Sequence, residues 1–342
     1  MKGMIARLVD SNGDTLAALP ARDPRGHKGT FGTVAVMGGC AHPPMLMLGA
    51  PVLAATAALR AGCGLARLVV PMPLAHSALS MAPQCTVHPI ACGDDGMFDP
   101  SEASRCVDHA ARDARVLLVG PGLGASPGAR GLTLRAIQHE DRVVVLDADA
   151  LNALSLIPVV SRDFRAPAVL TPHVGEFKRL AESLNLPTDC QTPGERETSA
   201  IAMAQRLGCV VVLKSSVTVV ADALRSFTLD DPEPALGVGG SGDVLAGLIA
   251  GLASQFVQIA ESGPIAQLRA RHATGGADGA PPRTLSLFNA AALAVVAHHR
   301  AARAWRTAHA NASGGMLATE LCEAIPGAVD SLREPVEPQR SN

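Results

Sequence analysis

Short aliphatic runs recur along this chain, each closed by a Gly, Pro or Asp turn and followed by an Ala/Leu-rich stretch. The runs at Thr33–Met37, Leu65–Val70, Val116–Val119, Val143–Leu146, Ala168–Leu170 and Val210–Leu213 are apolar at nearly every position. A strand without polar alternation is buried on both faces, which requires helices above and below a mainly parallel sheet. The stretches Ala50–Ala61, Gly175–Leu184, Glu195–Leu207, Asp243–Gln255, Leu287–Arg303 and Met316–Ala324 supply those layers. The expected fold is α/β, a doubly wound, mainly parallel central sheet with helices on both faces. Val217–Ala221 follows Val210–Leu213 after only Lys214, Ser215 and Ser216, so an antiparallel hairpin is expected there.

With 342 residues, 48% apolar and 18% charged, the chain can bury a large core and is neither disordered nor a coiled coil. Its 29 Lys and Arg nearly balance 31 Asp and Glu, so no long-range field draws polyanions and any phosphate chemistry must be local. One Trp and no Tyr cannot build stacking platforms, so nucleic acid is not an expected partner. No uncharged apolar run reaches membrane-spanning length, so no membrane is expected either. The eight cysteines have no Cys-x-x-Cys spacing and read as buried free thiols; with no signal-peptide pattern at the start, a cytoplasmic location is expected. One domain is expected over 25–327. Within it the Gly-, Ala-, Pro- and Arg-rich segment 261–284 is expected to be a flexible insertion, and 328–342 a disordered tail.

The sharpest chemical signal is Gly239-Gly240-Ser241-Gly242-Asp243, which opens an apolar helix rich in small residues. Small residues admit a ligand to the backbone, and a helix start presents unpaired N–H groups and a positive dipole end, so Gly239, Gly240, Ser241 and Gly242 form a candidate anion hole. Asp243 is then either a charge stabilised by the helix dipole or a base that takes a hydroxyl proton beside a transferring phosphoryl group. Gly49-Ala50 and Gly120–Gly124 each follow a strand, where loops of an open sheet gather ligands. His173 sits at another strand-to-helix junction, and Lys214 ends a buried strand, as a solvated hairpin lysine or as a phosphate partner. Asp147 and Asp149 are either ligands or a helix-capping pair. Adjacent His298 and His299 face different directions on a helix and do not make a metal pair. No metal ligands are assigned.

Several blocks together are more specific than any one: His27-Lys-Gly-Thr-Phe-Gly32; Gly49-Ala50 leading to Leu53–Gly64; Gly120-Pro-Gly-Leu-Gly124; Leu146-Asp-Ala-Asp-Ala-Leu-Asn152; Leu170-Thr-Pro-His-Val-Gly-Glu176; Lys214; and Gly239–Asp243. In this order the chain, from His27 to about Pro326, resembles the ADP- or ATP-dependent (S)-NAD(P)H-hydrate dehydratases of the ribokinase-like superfamily. The resemblance implies a hydro-lyase that repairs NADH and NADPH hydrates. A nucleotide phosphoryl would activate the C6 hydroxyl, and phosphate would then leave. It also implies Mg²⁺ dependence, ADP or ATP as co-substrate and a homotetramer. About 25 residues precede the first block, so the epimerase domain fused to many members is not expected, and a separate epimerase would be a partner. By the same resemblance, Asp243 matches the catalytic base. Ala50, Gly122 and His173 match the hydrate pocket, and Lys214, Ser215, Ser216, Val217, Thr218 and Gly242 match nucleotide contacts. The competing expectations are a ribokinase-like kinase of a hydroxymethylpyrimidine or thiazole alcohol, and a nucleotide-binding regulator without turnover.

Three departures from the family pattern bear on nucleotide affinity. Val174 replaces the usual Pro after His173. Ser215 replaces a Gly, so it either strains the turn or reshapes it. Asp230-Asp231-Pro232-Glu233-Pro234 replaces an Asn-containing run, and its three carboxylates are expected either to repel phosphate or to recruit Mg²⁺.

Overall fold

Runs of Val and Leu with every residue buried form the centre of one nine-stranded sheet in the computed structural model, which describes residues 8–259 and 285–333. The strands are β1 (Thr33–Met37), β2 (Leu65–Pro71), β3 (Thr86–Ile90), β4 (Val116–Val119), β5 (Val143–Leu146), β6 (Ala168–Leu170), β7 (Val210–Leu213), β8 (Thr218–Ala221) and β9 (Ser226–Leu229). Their order is β3-β2-β1-β4-β5-β6-β7-β8-β9. Pairing is parallel from β3 to β7, with Val36 opposite both Leu68 and Leu118, and antiparallel from β7 to β9. The expected doubly wound, ribokinase-like sheet and the hairpin after Leu213 are both present.

Alternate strand residues feed two cores, as the pleat requires. Val34, Val36, Val116, Leu118 and Val145 face α1 (Gly49–Arg60), α8 (Ser241–Phe256), α9 (Leu287–Ala308) and α10 (Ala318–Asp330). Ala35, Met37, Leu117, Val119 and Val144 face the opposite layer. That layer is built from α3 (Pro100–Asp113), α4 (Pro127–Ala136), α5 (Asp149–Ser155), α6 (Val174–Ser183) and α7 (Pro193–Leu207). A short α2 (Ala75–Met81) precedes β3.

The glycines of α8 explain its small-residue composition and fix its position. A Cβ on Gly247 would lie 2.1 Å from the Ala54 carbonyl oxygen, and one on Gly251 would lie 2.7 Å from that of Ala58. Helices α1 and α8 therefore meet backbone to backbone, which pins the start of α8 over the carboxyl edge of the sheet.

The domain is larger than 25–327. Leu16 and Leu19 are buried, and the Leu19 amide bonds the Leu332 carbonyl at 2.9 Å. Residues 328–330 belong to α10, and Arg333 Nη1 donates to the Pro20 carbonyl at 2.7 Å, so the expected tail does not begin at 328. Residues 334–342 and the expected insertion 261–284 lie outside the described residues. Among the described residues no helix is long and apolar enough to cross a membrane.

Candidate functional site

Strands β4, β5, β6 and β7 are neighbours in the sheet, so the residues just past their carboxyl ends meet although they are far apart in sequence. Asp147 follows β5, Thr171 and His173 follow β6, and Lys214 follows β7, its amide donating to the Pro172 carbonyl at 2.8 Å. The Lys214 ammonium lies 2.7 Å from Asp147 Oδ1. Thr171 Oγ1 donates to the same oxygen at 2.7 Å. Asp147 is 2% exposed, so this is a buried ion pair with a hydroxyl supplying one further bond. The loop after β4 leaves room only for glycine: Gly120 has φ of 123°, and a Cβ there would sit 1.8 Å from the Asp147 carbonyl oxygen.

The first turn of α8 faces this pair. Gly240 caps it with φ of 90°, where a Cβ would strike Leu53 of α1 at 2.7 Å and Ala318 of α10 at 2.9 Å. A Cβ on Gly242 would lie 3.4 Å from Lys214 Nζ, so the ammonium sits against the helix start. Burial and the nearby Asp147 carboxylate push the Asp243 carboxyl up to about 7, against the pull of Lys214 and its own backbone amide; Asp149 adds to the rise. Burial works against charge on Lys214, but Asp147, Glu176 and Asp243 together raise its proton affinity. Burial raises Glu176 above the ordinary carboxylate range, and Lys214 opposes that rise.

Beside this turn lies a cavity of about 560 Å³. Its wall includes His173, Lys214, Ser215, Ser216, Thr218, Ser241 and Gly242, so His173 stands with the residues expected at the nucleotide rather than with Ala50 and Gly122. Val217 does not line it: the residue is 7% exposed, and its amide bonds Ser215 Oγ at 3.2 Å. The anion hole is smaller than expected, because the Ser241 amide is already given to the Val238 carbonyl at 3.3 Å. Ala50 and Gly122 do not line the cavity but lie side by side, a Cβ on Gly122 lying 3.4 Å from that of Ala50. Leu53, which meets Gly240, is one helical turn on from Ala50, so this pair lies near the helix start.

His173 does more than line the cavity. Its Nδ1 accepts the Gly175 and Glu176 amides at 3.0 and 3.3 Å, and Glu176 Oε2 accepts the His173 amide at 2.8 Å, a capping box that starts α6. With Nδ1 accepting, the proton is assigned to Nε2, which lies 3.3 Å from Glu176 Oε1.

Other expectations need correction. Asp147 and Asp149 do not cap α5, whose N-cap is Ala148 with no side-chain bond; Asp147 carries Lys214, and Asp149 Oδ2 accepts the Gly124 amide at 2.8 Å. Lys214 is the half-buried partner of Asp147, not a solvated hairpin lysine. Ser215 is absent from the positive-φ residues, and its hydroxyl bonds the Val217 backbone, so it reshapes the hairpin without left-handed strain. Asp231 and Glu233 are answered by α9: Arg303 reaches Asp231 at 2.8 Å, and Arg306 reaches Glu233 at 3.2 Å. Those two carboxylates are thus committed, neither facing phosphate unpaired nor free to gather a cation.

His298 and His299 both reach the cavity wall, which adjacent helix positions gave no reason to expect. His298 Nε2 bonds the Ser241 carbonyl at 2.9 Å, and burial pushes it down to about 4. His299 Nε2 lies 3.5 Å from Asp231. The only sequence signal for either was apolar helix on both sides.

The comparisons agree with this geometry. The family model described as NAD(P)H-hydrate dehydratase matches residues 34–327. The bifunctional NAD(P)H-hydrate repair enzyme of Salinibacter ruber is 36% identical over 309 residues, 90% of this chain and 50% of that protein. The chain thus spans about half the length of that relative. The ADP-dependent (S)-NAD(P)H-hydrate dehydratase of Neisseria meningitidis is 37% identical over 249 residues, 71% of this chain and 76% of that one. The ADP/ATP-dependent NAD(P)H-hydrate dehydratase of Bacillus subtilis, crystallised with ATP and Mg²⁺, has a TM-score of 0.68 at 25% identity, covering 92% of this chain and 95% of that one. The family match over residues 34–327 and the identity to these relatives lead to one conclusion: this chain belongs to the NAD(P)H-hydrate dehydratase family.

Proposed function

We propose that this protein dehydrates the (S)-hydrate of NADH or NADPH, with ADP or ATP as phosphoryl donor. One observation carries the reading: a carboxyl poised near neutrality, Asp243, stands in the first turn of α8, next to Gly242 on the wall of a nucleotide-sized cavity. A base with that proton affinity accepts a hydroxyl proton at physiological pH and gives it up again.

The substrate's C6 hydroxyl oxygen attacks the terminal phosphorus of the nucleotide, and Asp243 takes the hydroxyl proton. The bond from phosphorus to the nucleotide's bridging oxygen breaks, and ADP or AMP leaves with that electron pair. The amide of Gly242, the helix dipole and the Lys214 ammonium would answer the charge that gathers on the phosphoryl oxygens. Phosphate then departs with the electrons of the C6–O bond, and loss of the neighbouring C5 proton restores the ring double bond. Ala50, Gly122 and His173 would contact the nicotinamide side, and Lys214, Ser215, Ser216 and Thr218 with Gly242 the nucleotide side.

Among the described residues no three His, Cys, Asp or Glu side chains converge to hold a metal. Asp147 and Asp231 are already committed to Lys214 and Arg303. These residues do not make a protein-held Mg²⁺ site. The Mg²⁺ implied by the family would arrive on nucleotide phosphates, its usual mode of binding, and no step above is routed through it. A cytoplasmic homotetramer is part of the same proposal, checked by light scattering of the purified protein.

Incubation with NADH hydrate and ADP, then with ATP, tests the reading. Recovery of the reduced nicotinamide absorbance supports it. A stable phosphorylated product would favour the kinase alternative, and nucleotide binding without either product would favour a regulator.

A further inference from the structure

Neither the substrate contacts nor the phosphoryl chemistry gives Asp147 a task, yet it is a charge only 2% exposed. Its Oδ1 receives two bonds of 2.7 Å, from Lys214 Nζ and Thr171 Oγ1. The geometry around it is over-determined: β5, β6 and β7 each contribute one member, and Gly120 is kept free of a side chain by the Asp147 carbonyl. We propose that Asp147 is a positioning residue: it seats the Lys214 ammonium against the first turn of α8 and withholds that cation's charge from Asp243.

The arrangement explains why a carboxyl so close to a lysine is not simply ion-paired with it. An ammonium that lies 2.7 Å from one buried carboxylate has its field largely answered there. The groups that act on Asp243 are Asp147, Asp149 and Lys214. Glu176 on α6 acts on Lys214, and from α9 His298 meets the same turn at the Ser241 carbonyl, kept neutral by burial. At the helix cap, α1 and α10 present Leu53 and Ala318, which are apolar. Asp149 is the lesser influence, since one of its oxygens is held by the Gly124 amide. Burial raises the Asp243 carboxyl first, and Asp147 is the largest of the neighbouring charges that add to the rise.

The inference depends on the dehydratase reading for its kinetic readout but not for its titration. In the purified full chain without substrate, the carboxyl resonance of Asp243 is followed against pH in wild type, Asp147→Asn and Thr171→Val. Asp147→Asn keeps the shape but removes the charge, and Asp243 is expected to titrate about one pH unit or more lower. Thr171→Val removes one bond and no charge, and the Asp243 titration is expected to stay in place. The idea is overturned if Asp147→Asn leaves the titration where it was, or if Thr171→Val moves it as far. Should Asp147→Asn not fold, the Thr171→Val result still decides, because a shift without a change of charge contradicts the proposal. In the dehydration assay the acid limb of kcat/KM should move down with the titration, and kcat should fall about tenfold or more. An absence of turnover in wild type would count against the functional reading alone, since the titration stands without it.

Discussion

Two groups of carboxylates, one behind Lys214 and one on the cavity wall itself, differ in the cations that answer them. On one side Asp147, Glu176 and Asp243 share the single ammonium of Lys214. On the other, Asp231 and Glu233 meet Arg303, Arg306 and His299 on α9. Guanidinium groups stay charged and hold carboxylates by several donors, so the carboxylates of the second group are compensated where they stand. The first is short of positive charge, and there burial and the Asp147 carboxylate raise the proton affinity of Asp243. Chemistry is built where compensation is incomplete, and framework where it is complete.

The largest expected effect comes from breaking the first group at its titrating member. Asp243→Asn should lower dehydration by about a thousandfold, the range of general base catalysis, while nucleotide affinity measured by calorimetry changes little because the backbone amides remain. Equal loss of both would make Asp243 a structural charge. The same variant should be more stable than wild type above pH 7. The folded state keeps the Asp243 proton up to about 7, whereas an unfolded chain releases it near about 4, so folding loses stability as pH rises through that window. Asn removes that loss, and thermal melts at acid and alkaline pH measure it.

The second group should respond in stability rather than in pH dependence. Glu233 is fully buried, so Glu233→Gln leaves Arg306 facing an uncharged partner and should cost roughly 2 kcal/mol, read from the urea midpoint. The figure is set below that for a fully buried pair because Arg306 reaches solvent. The pH–rate profile should keep its acid limb, and a shift there would join the two groups into one electrostatic unit. The smallest effect is expected from Arg303→Ala, whose side chain is 53% exposed: at most about 1 kcal/mol, weakening with salt.

How much of this was legible in the chain depended on burial. The strands of the sheet centre were visible because both faces are covered, leaving nothing but aliphatic residues. Strand β3, Thr-Val-His-Pro-Ile, was not, since it is a half-exposed edge that carries a proline. Helix α3 was missed because its buried stripe, Ala103, Cys106, Val107, Ala110 and Ala111, is small and lies among charged residues. Within the site, Ser215 illustrates the opposite limit. The missing glycine was evident, but the hydroxyl bonds that make it harmless depend on where the Val217 backbone lies.

The order of the aliphatic runs, the glycines of α8 and the block ending at Asp243 were enough to determine the architecture, the family and the place of the proposed base. Such features are local: a buried strand, a close helix crossing and a helix start each need particular residue types within a few positions. Which charge answers which was decided only by the tertiary structure. Asp147 and Lys214 are 67 positions apart, and Glu233 and Arg306 are 73 apart. A Coulomb interaction depends on distance and burial in space, and the sheet order that brings β5 beside β6 and β7, with α9 folding back over Glu233, has no imprint in the spacing of the residues themselves.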